Sequence, residues 1–200
     1  TYTIPADTLD NGSSDNCTDA NDLVFSLSKA TFSCEDTASV QVVTMTVKDI
    51  SNNQSTCQAN VTVHDTINPA ALCRNIDVYL NSSGTYTIPA DTLDNGSSDN
   101  CTADNDLVFS LSKSSFSCDD TASIQVVTMT VKDISNNKSI CQSNVSVHDT
   151  INPVALCRNI DVYLNSSGTY TIPLDTLDNG SSDNCTADND LVFSLSKSSF

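Results

Sequence analysis

The chain has 200 residues, of which 25 are acidic and eight are basic, so its formal net charge at pH 7 is −17. Nucleic acids and acidic membranes bind through Lys and Arg, so this charge excludes them as principal partners. Glu35 is the only glutamate, and an acidic content carried by Asp beside much Ser, Thr, Asn and Val indicates strands and loops rather than helices.

One octet, Asp-Asn-Gly-Ser-Ser-Asp-Asn-Cys, stands at residues 10–17, 94–101 and 178–185. The spacing is 84 residues both times, which identifies a tandem array with a fixed period. The octet consists of turn formers and oxygen donors, so it predicts a loop. The chain begins and ends inside a copy and contains no initiator Met or apolar membrane-spanning run. We therefore expect a segment of a longer protein.

The pentapeptide Asp-Thr-Ile-Asn-Pro at residues 65–69 and 149–153 marks the boundaries between copies. A proline after a short polar run is typical of a domain linker that is too short to be flexible. The sequence thus predicts a partial repeat at 1–69, a complete repeat at 70–153 and a partial repeat at 154–200. We call these the first, second and third copies.

The complete repeat shows the alternation of half-buried strands and no helical periodicity. In its longest strand, for example, Val127, Met129 and Val131 share one face. Short strands with turns about every ten residues predict an all-β fold, with one immunoglobulin-like antiparallel sandwich per repeat. The predicted strands are Asn75–Leu80, Thr85–Pro89, Leu107–Ser112, Ser123–Asp133 and Ile140–His148.

The nine cysteines follow the repeat, with four in each full period and no CxxC or Cys/His pattern of a zinc site. Regular cysteines in small repeated domains indicate disulfides and an oxidising, extracytoplasmic location. Four cysteines allow three pairings per repeat.

We predict Cys101–Cys118, and likewise Cys17–Cys34, because each pair flanks a single loop and strand. We predict Cys73–Cys141 because the first and last strands of such a sandwich can run side by side in parallel. The rival pair Cys57–Cys73 across the linker would need the chain to return from the far end of a strand roughly 20 Å long. This scheme leaves Cys57, Cys157 and Cys185 with partners outside the chain, at positions −11, 225 and 202.

An ordered set of blocks resembles the hyalin-type (HYR-like) repeat, as found in long arrays of cell-surface adhesins of gliding Bacteroidota exported by type IX secretion. The blocks are Asp94–Cys101, Phe116–Cys118, Val127–Asp133 with Asn136, Cys141 and Val145–Asp149. The resemblance covers the whole chain and implies an immunoglobulin-like sandwich in adhesion or in surface filaments. It implies no catalytic residues.

Residue chemistry also argues against an enzyme. The only histidines, His64 and His148, stand singly at the end of a predicted strand, each followed by an Asp. A Ser-His-Asp site would need a structured pocket and an oxyanion hole in addition. We expect no catalytic site and no required cofactor.

Calcium is the candidate ligand of the octet region, because Asp94, Asp99, Asp104 and Asp106 gather carboxylates within a short stretch. The spacing does not match an EF-hand, and a solvated Asx-rich turn is the alternative. A second candidate site lies at the linker, with Asp149, Asn152 and Asp133 as its ligands.

Every Asp-Thr pair is followed by Leu, Ala or Ile, which resembles the O-glycosylation signature of Bacteroidota. Ordinary turn chemistry is the alternative explanation. The candidate threonines are Thr8, Thr37, Thr66, Thr92, Thr121, Thr150 and Thr176.

These observations predict a structural region of an extracellular, cell-surface filament or adhesin stalk, disulfide-bonded and glycosylated, in which repeats contact neighbouring repeats, other chains or surface glycans. The alternative is a calcium-assisted, lectin-like array that binds glycans through exposed aromatics such as Tyr79 and Tyr86.

Overall fold

The computed structural model describes all 200 residues, Thr1–Phe200, as two compact units that interleave along the chain. The first unit comprises residues 1–70, 97–108 and 131–139, and the second comprises residues 71–96, 109–130 and 140–200. Part of the second copy, including the end of its octet, thus belongs to the same unit as the first copy. The division into contiguous repeats at 1–69, 70–153 and 154–200 stays a prediction.

The first unit is built on an antiparallel sheet of three strands in the order β2-β4-β5, and β1 pairs with β3 in a separate two-stranded sheet. Its core contains Phe32, Val43 and Met45, which are at most 3% exposed. Short 3₁₀ helices lie at Ala20–Asp22, Cys34–Ala38 and Asp104–Asp106. The strands are β1 Tyr2–Thr3, β2 Val24–Leu27, β3 Thr31–Phe32, β4 Gln41–Lys48 and β5 Gln54–Val61.

Six further strands lie wholly or mainly in the second unit: β6 Ile76–Tyr79, β7 Thr85–Thr87, β8 Val108–Leu111, β9 Ser115–Ser117, β10 Gln125–Lys132 and β11 Lys138–His148. Four of them form a sheet in the order β6-β11-β10-β8, and β7 pairs with β9. β6 runs parallel to β11, with Ile76 opposite Val145 and Val78 opposite Val147. The second unit also contains 3₁₀ helices at Cys118–Ala122 and Asp188–Asp190.

The alternation predicted for the longest strand is confirmed in β10. Val127 and Met129 are fully buried, whereas Ile124 and Val126 are about 60% exposed. Because successive side chains of a strand point to opposite faces, one face of β10 forms the core and the other is in contact with solvent. The longest helix has five residues, so the all-β fold is confirmed. None of the helices has the length and apolar character that crossing a bilayer requires.

Candidate functional site

Three disulfide bonds join cysteines that are 67 or 68 residues apart in the sequence: Cys34–Cys101, Cys73–Cys141 and Cys118–Cys185. Their Cα atoms are 5.0, 5.8 and 5.2 Å apart, which is the usual range for a disulfide. The first and third bonds are related by the 84-residue period. Each of these two bonds joins the octet cysteine of one copy to a cysteine of the preceding copy.

The predicted pair Cys73–Cys141 is confirmed, and the parallel pairing of the first and last strands accounts for it. β6 and β11 are parallel neighbours in the sheet, and Cys73 and Cys141 stand three and four residues before the opposed Ile76 and Val145. The parallel pairing therefore brings the two cysteines together.

The predicted pairs Cys17–Cys34 and Cys101–Cys118 are wrong, and so is the expectation that Cys185 has its partner outside the chain. The backbone of Ala70 exchanges two hydrogen bonds with Ser98, of 2.7 and 3.2 Å. This bridge holds the second octet against the start of its own copy, next to the linker, and Cys101 bonds to Cys34 of the first copy. Cys17, Cys57 and Cys157 are unpaired and exposed in the structure.

Each disulfide cysteine at positions 34 and 118 opens a 3₁₀ helix whose start is held by an Asp side chain. Asp36 accepts a 2.9 Å hydrogen bond from the backbone N–H of Ser33, and Asp120 accepts the same bond from Ser117. The carboxylates also pair with Lys29 and Lys113 respectively. The hydrogen bond from each lysine, followed by that from each serine N–H, holds the pKa of Asp36 and of Asp120 below its usual range.

The octet itself is a turn organised by its second aspartate. Asp99 Oδ2 accepts hydrogen bonds from the backbone N–H groups of Cys101 and Thr102, at 2.9 and 3.0 Å. Asp15 and Asp183 make the same two bonds in the other octets. Those bonds, with the one to the cysteine N–H contributing most, lower the pKa of Asp15 and Asp183.

Three carboxylates meet in the first unit, namely Asp65 of the linker, Asp99 of the octet and Asp133 of the β10–β11 turn. One ligand oxygen of each lies within 4.8 Å of the other two. Asp133 is 1% exposed and accepts two hydrogen bonds of 2.7 Å from the backbone N–H and the side-chain Nδ2 of Asn137. Asn100 Nδ2 donates to Asp65 Oδ1 at 3.3 Å.

The four predicted calcium ligands are not brought together as a set. Asp99 joins the three-carboxylate group, but Asp104 and Asp106 lie in an exposed 3₁₀ helix, and Asp94 belongs to the second unit. Of the second candidate site, Asp133 belongs to this group, whereas Asp149 and Asn152 do not. Asp133 groups with Asp65, which is the equivalent of Asp149 one period earlier.

One histidine considered for catalysis and one tyrosine considered for sugar binding form an exposed contact in the second unit. His148 Nε2 lies 2.9 Å from Asp77 Oδ1, and its ring stacks on Tyr79 with 5.3 Å between the ring centroids. His64 and Tyr86 are also exposed. The expectations that no residue is catalytic and that the tyrosines are the sugar-stacking candidates stay predictions.

The seven candidate glycosylation threonines fall into three groups by environment. Thr37 and Thr121 donate their hydroxyls to the carbonyls of Cys34 and Cys118 at 2.8 Å, so their hydroxyls have a role in the turn. Thr8, Thr66 and Thr150 are exposed, while Thr92 and Thr176 are half-buried.

The acidic group and the disulfides do not lead to an assignment by similarity. No protein-family model matches the chain, and no curated protein sequence matches it either.

Proposed function

We propose that this chain is part of a structural repeat region in a long extracellular filament or adhesin stalk at a cell surface, with an immunoglobulin-like sandwich in each repeat. The observation that carries the proposal is the pair of disulfides Cys34–Cys101 and Cys118–Cys185, which join consecutive copies covalently. Three disulfides indicate an oxidising compartment outside the cytoplasm. The resemblance to hyalin-type repeats of adhesins supports the same function.

The copy-to-copy bonds limit how far the chain can be stretched. A pulling force follows the shortest covalent path, which enters at Cys34, crosses to Cys101, follows the backbone to Cys118 and crosses to Cys185. Only the segment 101–118 is therefore under load between the two bonds, although the period is 84 residues. A filament built in this way resists extension even where its domains unfold, as a stalk under shear requires.

The period extends the same pattern to the unpaired cysteine of the first octet. Cys17 is the equivalent of Cys101, and Cys34 lies 84 residues before Cys118. A preceding copy would therefore supply the partner of Cys17 at position −50. The continuous covalent path would then run through any number of copies, so copy number would set the filament length.

Glycans fit this function as a surface modification of the linkers. Thr66 and Thr150 are exposed and occupy the second position of the two Asp-Thr-Ile-Asn-Pro linkers. We propose these two as the modified residues. Peptide mass mapping of native material before and after β-elimination tests this, since loss of hexose-sized mass from the peptides that contain them is the expected result.

Single-molecule stretching of the chain between its termini tests the covalent path. At no more than about 3.5 Å per residue, the oxidised chain can extend to roughly 230 Å, because only residues 1–34, 101–118 and 185–200 carry load. After reduction it should extend to roughly 700 Å. The variant C73S/C141S is the matched control and should keep the short length.

The variant C34S/C101S should extend to roughly 390 Å, since its shortest path runs through residues 1–73, 118–141 and 185–200. An oxidised parent length of roughly 400 Å would contradict the proposal, because that length corresponds to disulfides Cys17–Cys34, Cys73–Cys141 and Cys101–Cys118.

A further inference from the structure

The group Asp65, Asp99 and Asp133 contains two carboxylate oxygens that have no partner in the protein. Asp65 Oδ2 and Asp99 Oδ1 are inaccessible to solvent and accept no hydrogen bond. An unpaired charged oxygen in such a position loses its hydration without compensation, so buried charges in proteins are almost always paired or bound to a metal. These two oxygens therefore favour a ligand that carries positive charge.

No basic side chain supplies that charge. The ion pairs of the structure are Lys29–Asp36, Lys113–Asp120 and His148–Asp77, and none of them includes a member of the group. Three carboxylates with oxygens within 4.8 Å of one another repel strongly in a partly buried position. A cation between them would convert this repulsion into attraction.

The remaining oxygens are held in fixed positions by donors around the group. Asp65 Oδ1 accepts from the N–H of Ile67 and from Asn100, Asp99 Oδ2 accepts from two backbone N–H groups, and Asp133 is held by Asn137. Asn137 Nδ2 also donates to the carbonyl oxygen of Asp65 at 3.1 Å. Outer hydrogen bonds of this kind orient ligands at metal sites.

We propose that Asp65, Asp99 and Asp133 bind one Ca²⁺ ion. All three ligands are hard carboxylates and no Cys or His belongs to the group, which disfavours zinc and other soft metals. Mg²⁺ requires near-ideal octahedral geometry, whereas Ca²⁺ accepts the irregular arrangement that three separate loops provide. The ion joins the linker of the first copy to the octet and the turn of the second copy, beside the Cys34–Cys101 bond.

The period repeats parts of the site. In the second unit, Asn184 Nδ2 donates to Asp149 Oδ1 at 3.0 Å, and Asp183 Oδ1 is again buried without a partner. In the first unit, Asp15 and Asp49 line an open cavity with Asn53, which holds Asp49 as Asn137 holds Asp133. The group of three occurs where a linker, an octet and a turn are all present, so the expected stoichiometry is one bound ion per chain.

Calorimetric titration of the oxidised, EDTA-treated chain with CaCl₂ tests the proposal. Extracellular calcium modules bind with Kd of about 0.1–1 mM, and the parent should bind one ion in that range with a rise in Tm that EDTA reverses. D65N should weaken binding by at least about 10-fold. Its amide oxygen still accepts the hydrogen bonds made to Asp65 Oδ1, and a retained Cys34–Cys101 peptide shows that it has folded.

The double variant D104N/D106N is the matched control, since it removes two exposed carboxylates from the same loop region. Its Kd should stay within about 2-fold of the parent value. Absence of saturable binding by the parent up to about 10 mM would overturn the proposal without any variant, because that exceeds the weakest module range. Loss of binding in D104N/D106N with retention in D65N would overturn it as well.

Discussion

The loops Ser13–Cys17 and Ser97–Cys101 have identical sequences and belong to the same unit, yet their environments differ. Ser97 is 2% exposed and Cys101 is bonded to Cys34, whereas Ser13 is half-buried and Cys17 is exposed and unpaired. Both loops share the same internal turn, because Asp15 and Asp99 each cap the two N–H groups that follow.

The difference between the loops comes from residues that lie before the second octet in the chain, in the first copy and next to the linker. The second loop receives the backbone bridge from Ala70, the carboxylate of Asp65 and the sulfur of Cys34. The octet sequence therefore specifies its own turn, while its burial and its covalent bond depend on the preceding copy. The second octet is thus completed by residues of the first copy.

Removing the bond from the second loop should have the largest effect on stability. C34S/C101S should lower the free energy of unfolding by about 4 kcal/mol, because the chain-entropy model gives that value for a closed loop of nearly 70 residues. Urea denaturation measures the loss. C57S, which changes an exposed and unpaired cysteine, should stay within about 0.5 kcal/mol of the parent. A loss below about 1 kcal/mol in C34S/C101S would contradict the importance of the bond.

Acid should weaken the Lys–Asp ion pair that the first and second copies share. The pKa values of Asp36 and Asp120 are lowered in the folded state by Lys29 and Lys113, so their contribution is present above the unfolded value near 3.9 and is lost as pH falls through the folded value. Urea midpoints of the parent should therefore drop below about pH 4. D36N and D120N should both lower the midpoint at pH 6 and show a smaller acid-induced drop. If both variants showed an acid-induced drop in the urea midpoint as large as that of the parent, the result would contradict this assignment.

The smallest expected effect separates the two loops at one side chain. N100A removes the hydrogen bonds from Asn100 Nδ2 to Asp65 and to Cys101 Sγ, and it should cost about 0.5–1 kcal/mol of unfolding free energy, since Asn100 is exposed to solvent. N16A changes the equivalent exposed residue of the first loop and should have an effect near zero. Equal effects in the two variants, measured by urea denaturation, would show that the Asn100–Asp65 contact contributes nothing.

Strands with clear alternation could be predicted from the sequence. Gln125–Lys132 and Lys138–His148 were expected within two residues of their bounds, because the side-chain period of a strand appears directly in the positions of Val, Ile and Met. β9, Ser115–Ser117, is not among the predicted strands, since its three residues are too few to show alternation. The turn of the octet was also expected from its composition.

The disulfides show why the rest could not be predicted. The Cys73–Cys141 pair follows from the order of strands within one copy, which sequence patterns constrain. The Cys34–Cys101 pair depends on which copy an octet packs against, and identical octets carry no information on that point. The carboxylate group was missed for the same reason. The group combines residues from two copies and three loops: Asp65, Asp99 and Asp133. The one available signal in the sequence was that the linker, the octet and the turn each contain an Asp.

The covalent connection between copies is tested most directly by tryptic mapping without reduction. The two octet peptides 75–113 and 159–197 differ at Ala90 and Leu174, so each link of an octet cysteine can be assigned to its copies. Our account predicts that peptide 30–48 is linked to 75–113 and that peptide 114–132 is linked to 159–197. Links between 1–29 and 30–48 and between 75–113 and 114–132 would mean that each copy closes on itself, which contradicts the account.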